Sequence, residues 1–169
     1  VVKTDIDASN GVIHVIDKVL VPPGVLDIVQ MAQLNPTFST LVTAVVEAEL
    51  VATLSGTGPF TVFAPTNDAF AAALAELGLT AEQLLASPDL AAILTYHAVG
   101  GDVRAADVVA LVAGGPADVT TVQGDTFRVG TDLVITDGRS RTANLVATDV
   151  VASNGVIHVI DAVILPPVN

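Results

Sequence analysis

The side chains with the widest chemical reach are three histidines (His14, His97 and His158), one tyrosine and eighteen acids; there is no cysteine. Tyr96 and His97 are neighbours at the end of an apolar stretch, so the imidazole is a candidate general base or ligand contact. The favoured alternative is a partly buried histidine, hydrogen-bonded to Thr66, Asn67 or Asp68, that holds an exposed tyrosine in place, because buried polar groups need partners far more often than they catalyse. His14 and His158 lie in strand-like stretches with apolar neighbours and read as strand residues, solvent-facing or satisfied locally. Without cysteine or a His-x-x-x-His spacing, the histidines fall short of a zinc site, and no metal is expected. Asp125, Asp132 and Asp137 cluster in turns, where aspartates bond their own backbone. No Asp-x-Asp-x-Asp-Gly loop closed by Glu marks a calcium site. Ser87 and Ser153 lie outside any Gly-x-Ser-x-Gly elbow and read as a helix cap and a turn. No catalytic residue and no cofactor is expected.

Composition narrows the partners. Hydrophobic residues make up 51% of the 169 and aromatics only 4%, so the core is aliphatic and exposed rings for stacking on bases or sugars are scarce. The formal net charge is −12, and four arginines against fifteen acids leave −11 on residues 24–169. Such a surface repels phosphate backbones and anionic membranes, which excludes nucleic acid as a partner. Apolar runs are broken well short of the ~18–20 residues of a membrane span, so no direct membrane insertion is expected and the domain reads as soluble. The sequence opens on Val1 without a basic, hydrophobic leader pattern, so any targeting segment has been removed or was never attached.

The elements that must position these residues can be read from periodicity and turn chemistry. Residues 25–34 and 36–50 read as two helices separated at Asn35-Pro36. Phe60 to Phe63 reads as a short apolar strand. Thr66 caps a helix over 67–77 with Phe70, Leu74 and Leu77 as its buried stripe, closed by Gly78. Thr80 and Gln83 form a capping box, and Ser87-Pro88-Asp89 opens a helix that ends at Tyr96-His97. Residues 105–113 make a further helix. From Val119 the period becomes alternating: Thr121-Val122, Thr126 to Val129 and Leu133 to Thr136 read as strands, with Asp137-Gly138 as a hairpin turn. Strands over 144–151 and 155–165 follow. Helices first and strands last indicate an α+β domain with an antiparallel sheet.

The most informative feature is a repeat. The ten residues Ala8 to Asp17 recur without change as Ala152 to Asp161. The preferred reading is a tandem array in which residues 1–23 are the terminal strand of a preceding repeat, or an assembly segment, and residues 24–169 are one complete domain. An internal duplication within one fold is the less favoured alternative.

Three segments in order resemble the fasciclin (FAS1) domain family. Phe60-Thr61-Val62-Phe63-Ala64-Pro65-Thr66-Asn67-Asp68-Ala69-Phe70 is similar to its first box, Tyr96-His97 to its tyrosine–histidine motif, and Ala152 to Asp161 to its second box. The resemblance implies a FAS1 fold, a wedge-like antiparallel or mixed β-sandwich with several packed helices, in a secreted, cell-surface or periplasmic protein. It implies cell adhesion or matrix association without a catalytic centre. The motif residues Thr61, Pro65, Thr66, Asn67, Asp68, Asn154, Gly155, His158 and Asp161 would be structural. The family's proposed adhesion contacts map to Tyr96, His97, Asp149 and Val150, with Asp5-Ile6 matching the latter pair in the partial copy. Flanking residues differ from the animal motifs, which speaks against an integrin partner, and the composition looks bacterial.

The expected function is a non-enzymatic extracellular adhesion module; the alternative is a domain of the bacterial cell envelope that binds a small ligand or a polysaccharide. The expected partners are other FAS1 domains, in cis or in trans, or matrix and polysaccharide. Residues 12–20, with Val12, Ile13, His14, Val15 and Ile16 at their heart, form a candidate assembly strand, because an apolar strand without a partner seeks a sheet edge or a vacated slot in a neighbour. Equally open is an unstructured appendage.

Overall fold

The computed structural model describes residues 2–16 and 22–168. Capping side chains and prolines divide the first part of the domain into short helices. Asp27 accepts from the Gln30 backbone while the Gln30 side chain accepts from Asp27, which starts α1, Ile28–Leu34. Asn35 is extended and caps a 3₁₀ turn, Pro36–Phe38, that leads into α2, Ser39–Glu47. Glu49 takes a left-handed backbone (φ 57°), and the chain restarts as α3, Val51–Leu54. The two helices expected over 25–34 and 36–50 are therefore three shorter pieces, with α3 following beyond them, because caps and a left-handed residue interrupt the apolar pattern.

Strand β3, Phe60–Pro65, precedes α4, Asn67–Leu77, which is capped by Thr66 and closed by Gly78 at φ 65°. The expected stripe of α4 is corrected in part: Leu77 is exposed, and Ala69, Phe70 and Ala73 are the buried residues, one helical face earlier. Helix α5, Ala81–Leu85, carries the Thr80–Gln83 capping box. Then follow α6, Leu90–Tyr96, strand β4, Ala98–Gly100, and α7, Ala105–Leu111, which tightens into a 3₁₀ turn over Val112–Gly114.

The remaining strands are β5, Ala117–Thr120, β6, Thr126–Val129, β7, Val134–Thr136, β8, Thr142–Ala152, and β9, Gly155–Ile160. Thr121-Val122, expected as strand, instead begins the turn: the Thr121 hydroxyl and N–H both donate to the Asp125 carbonyl. Asp137-Gly138 does not make a two-residue hairpin. It opens a longer loop in which the Asp137 N–H donates to the Arg141 carbonyl.

Seven strands form one sheet in the order β4-β3-β9-β8-β7-β6-β5, in which only β3 and β9 are parallel. The long β8 serves both halves: residues 142–144 pair with β7 and the remainder with β9. Strands β3 and β9 are central and covered on both faces, so their side chains alternate between two cores. Val62, Ala64 and Ile157 join Ile28, Leu41, Val45, Phe70 and Leu94 under the helices. Phe63 and Ile160 turn the other way, against Phe127, Val129, Ile135 and Ile164. This is an α+β fold in which α1 to α6 cover one face of a folded-over mixed sheet and α7, through Val108, joins the core on the other.

The N-terminal residues make a separate two-stranded sheet, with β1 at Lys3–Ala8 and β2 at Gly11–Val15. Its register pairs Lys3 with Val15 and Ile6 with Ile13, interrupted by a bulge, just as Ala147 pairs with Val159 and Val150 with Ile157. The duplicated sequence thus makes the same hairpin twice, not one isolated strand. Residues 17–20 of the expected assembly strand lie outside the described residues.

Candidate functional site

Tyr96 ends α6 and His97 follows it, so both side chains leave the helix where the chain turns into β4. Neither is presented to solvent: their exposures are 0% and 2%. The Tyr96 hydroxyl donates to the Thr126 carbonyl at 2.8 Å and accepts from the Gly138 N–H at 3.0 Å. Burial is the main reason its pKa is pushed up to about 12, which keeps the phenol protonated and able to donate.

His97 sits 2.8 Å from the Ile93 carbonyl through Nδ1, and its Nε2 accepts from the Ile164 N–H at 3.1 Å. A carbonyl can only accept and an amide N–H only donate, so the ring is neutral with its proton on Nδ1. Burial drives its pKa down to about 4, against a smaller opposing pull from the Ile93 carbonyl and Asp137. The expected partners Thr66, Asn67 and Asp68 are not the ones it has. The C-terminal segment passes closer and supplies a backbone donor, and the expected exposed tyrosine is buried beside it.

Asp137 completes this cluster. Its Oδ1 accepts from the backbone of Arg139 and Arg141, and its Oδ2 from the Leu165 N–H at 2.9 Å. Gly138 donates to the Leu165 carbonyl, and Arg139 Nε to the Pro166 carbonyl. His97, Asp137 and Arg139 therefore clasp residues 164–166, and Tyr96 steadies the clasp through Gly138. Sequence reasoning identified Asp137 as a turn residue bonding its own backbone, which it does. Nothing local signals its bond to Leu165, 28 positions away.

Asp149 and Val150 lie apart from this clasp, on β8. Asp149 is exposed, with a left-handed backbone (φ 59°), and its Oδ1 accepts from the Ala105 N–H at the start of α7. Val150 is half-buried and packs against the helical core. Of the four candidate contacts, Asp149 alone keeps an exposed side chain, and that side chain already has a structural partner.

The box residues are fasteners between elements. Thr61 Oγ1 donates to the Gly101 carbonyl and accepts from the Val103 N–H, each at 2.8 Å. Pro65 ends β3 opposite Ile160, and Thr66 caps α4. Asn67 ties α4 to α2, accepting from the Thr40 N–H and donating to the Pro36 carbonyl. Asp68 is exposed in the first turn of α4, where a negative charge suits the helix dipole.

In the second box, Asn154 is buried in the turn between β8 and β9. Its Oδ1 accepts from the Ile28 N–H and its Nδ2 donates to the carbonyls of Leu54 and Gly56. Gly155 lies against β3 so closely that a Cβ there would fall on the Phe60 carbonyl. His158 is fully buried, bonded to the Val103 carbonyl through Nε2 and to the Asp149 N–H through Nδ1. Asp161 accepts from the backbone and side chain of Asn144. Among the described residues, no group of three or more His, Asp and Glu side chains converges as a metal site.

The candidate assembly residues lie on the exposed hairpin. Val12, Ile13, Val15 and Ile16 retain 40–54% exposure. His14 is exposed too, and its Nδ1 accepts from the Asp5 N–H at 3.2 Å, as His158 does from Asp149.

Comparison with known proteins places this arrangement. A fasciclin-domain profile matches residues 1–22 and 36–166. Protein sll1483 of Synechocystis is 49% identical over 149 residues, covering 84% of this chain and 74% of that protein. The pig transforming growth factor-beta-induced protein ig-h3 is 36% identical over 167 residues, or 97% of this chain and 23% of the relative. The solved FAS1 domain pair from the insect cell adhesion molecule Fasciclin I superposes with a TM-score of 0.76 at 24% identity, covering 98% of this chain and 59% of that one. With the three motifs in order and the fold and profile in agreement, the chain belongs to the fasciclin domain family.

Proposed function

We propose that this chain is a non-enzymatic, extracellular module of cell adhesion or matrix association that acts through its surface and through repetition. The observation that carries the reading is the use made of the motif side chains. Tyr96, His97, Asn154 and His158 have their hydrogen-bonding capacity taken up by internal backbone groups, which suits a rigid scaffold and leaves no poised acid, base or nucleophile among them. The structural likeness to a domain pair from a cell adhesion molecule supports the same reading. The separate profile match at residues 1–22 also supports it; on this reading residues 1–23 are the tail of a preceding repeat in a tandem array. Weak contacts multiplied along such an array give avidity without a deep pocket. No helix among the described residues is long and apolar enough to cross a membrane. The test is attachment of cells and matrix proteins to surfaces coated with the folded chain. Retention above that on the heat-denatured chain is expected, and equal retention would contradict the reading.

A second reading, polysaccharide binding, is favoured by one cleft of about 410 Å³. Leu79, Ile93 and Leu165 line it together with Asp89, Asp125 and Arg139, a mixture of aliphatic wall and charged groups suited to a polar chain. Glycan-array binding that disappears in Asp89→Ala and Asp125→Ala, with melting unchanged, would support this reading over adhesion.

A further inference from the structure

The C-terminal hairpin shows what its N-terminal twin is built to touch. Strand β9 lies parallel to β3 from Phe60 opposite Gly155 to Pro65 opposite Ile160. The preceding turn is locked to the body: Ser153 N–H donates to the Leu26 carbonyl, Phe60 N–H to the Asn154 carbonyl, and the Asn154 side chain holds Ile28, Leu54 and Gly56. His158 reaches the Val103 carbonyl, and Asp149 accepts from the Ala105 N–H. The residues making these contacts have identical counterparts in Ser9, Asn10, Gly11, His14 and Asp5.

The N-terminal hairpin is also already in the required shape. Its register matches pair for pair, Asp5 has φ 55° where Asp149 has 59°, and the backbone N–H of each aspartate donates to Nδ1 of the histidine nine residues on. A preformed element loses little entropy on docking. Yet Val12, Ile13 and Ile16 stay 54%, 54% and 42% exposed, whereas Val156, Ile157 and Ile160 are 0–2% exposed. Among the described residues, no hydrogen bond joins residues 2–16 to the rest of the chain. One substitution sets the balance between the twins. Asp7 stands where the half-buried Val151 does and would carry a charge into the slot, so each chain's own hairpin is the better occupant.

We propose that residues 2–16 of one chain enter the slot of β8–β9 in a second copy when that copy's own hairpin is displaced, linking chains head to tail. This deepens the assembly part of the adhesion reading and rests on it, but it is tested by mass and folding, whereas adhesion is tested by attachment. Head-to-tail exchange of an identical element can propagate beyond a dimer.

The two glycines provide the test in the full chain. A side chain at Gly155 would strike Phe60, while Gly11 has nothing within 4 Å of its added Cβ. Gly155→Val should therefore evict the native hairpin, and Gly11→Val should disable the donor only. Light scattering and thermal unfolding of Gly155→Val should give a cooperatively folded species of at least twice 17.1 kDa. Gly11→Val/Gly155→Val should lose both the mass and the cooperative transition, and Gly11→Val alone should match the parent. A folded monomer for Gly155→Val, or the same behaviour in Gly155→Val and the double variant, would overturn the proposal.

Discussion

The hairpins β1–β2 and β8–β9 share a ten-residue sequence, register, bulge and aspartate–histidine hydrogen bond, and differ in what lies beyond them. Ile160 is fully buried between β3 and the second core, while Ile16 is 42% exposed. Asn154 has three backbone partners contributed by the body, while Asn10 is exposed. Local sequence is sufficient to shape the hairpin; only the body turns that shape into stability. The family motif is therefore best understood as one half of a joint.

The largest effect expected from this contrast is at the isoleucines. Ile160→Ala should cost about 2–5 kcal/mol, the usual loss for emptying a packed core site, and Ile16→Ala should stay within about 0.5 kcal/mol. Denaturant unfolding of the two variants checks this, and equal losses would break the comparison.

The segment following β9 supplies the next effect, because His97 holds it through Ile164. His97 is neutral in the fold, with its pKa lowered from 6.5 to about 4, so on acidification the unfolded chain takes up this proton first. Its contribution is intact above pH 6.5, declines as pH falls through 6.5 and is spent near pH 4, a total of about 3 kcal/mol. Melting temperature against pH should fall less steeply over that window in His97→Gln, which retains a donor and an acceptor without titrating. An unchanged slope would remove His97 as the cause.

Asn154→Ala should cost about 1–3 kcal/mol by stranding the buried Ile28 N–H and the carbonyls it serves. Asn10→Ala should again be nearly silent in the same melting experiment. The smallest effect is at the exposed pair of the first hairpin: His14→Ala should change stability by less than about 0.5 kcal/mol, whereas His158→Ala should rank with Asn154→Ala. Parity between the two histidines would mean that residues 2–16 are packed as tightly as their twin.

Much of the scaffold was legible because its signals are local. Thr66 as a cap, Gly78 as a left-handed stop and the Thr80–Gln83 box each act within a few residues, and all are present. The order of helices and strands followed from the change of period near Val119. The less legible features depend on distant partners. The parallel pairing of β3 with β9 joins residues 95 positions apart, Phe60 and Gly155 among them. His97 was correctly read as a hydrogen-bonded histidine, but its partner Ile164 belongs to a segment whose path only the fold defines. The burial of Tyr96 has the same origin: Thr126 and Gly138 reach it from β6 and the loop after β7.

The most direct measurement of the joint is amide hydrogen exchange of residues 11–16 and 155–160 in one dilute sample of the full chain. Opening of a core strand requires near-global unfolding, whereas an exposed hairpin frays at little cost. Residues 155–160 should exchange at least about a hundredfold more slowly than residues 11–16, although the two stretches share all six residue types in order. Equal protection would contradict the claim that the body, and not the motif itself, makes the second box part of the core.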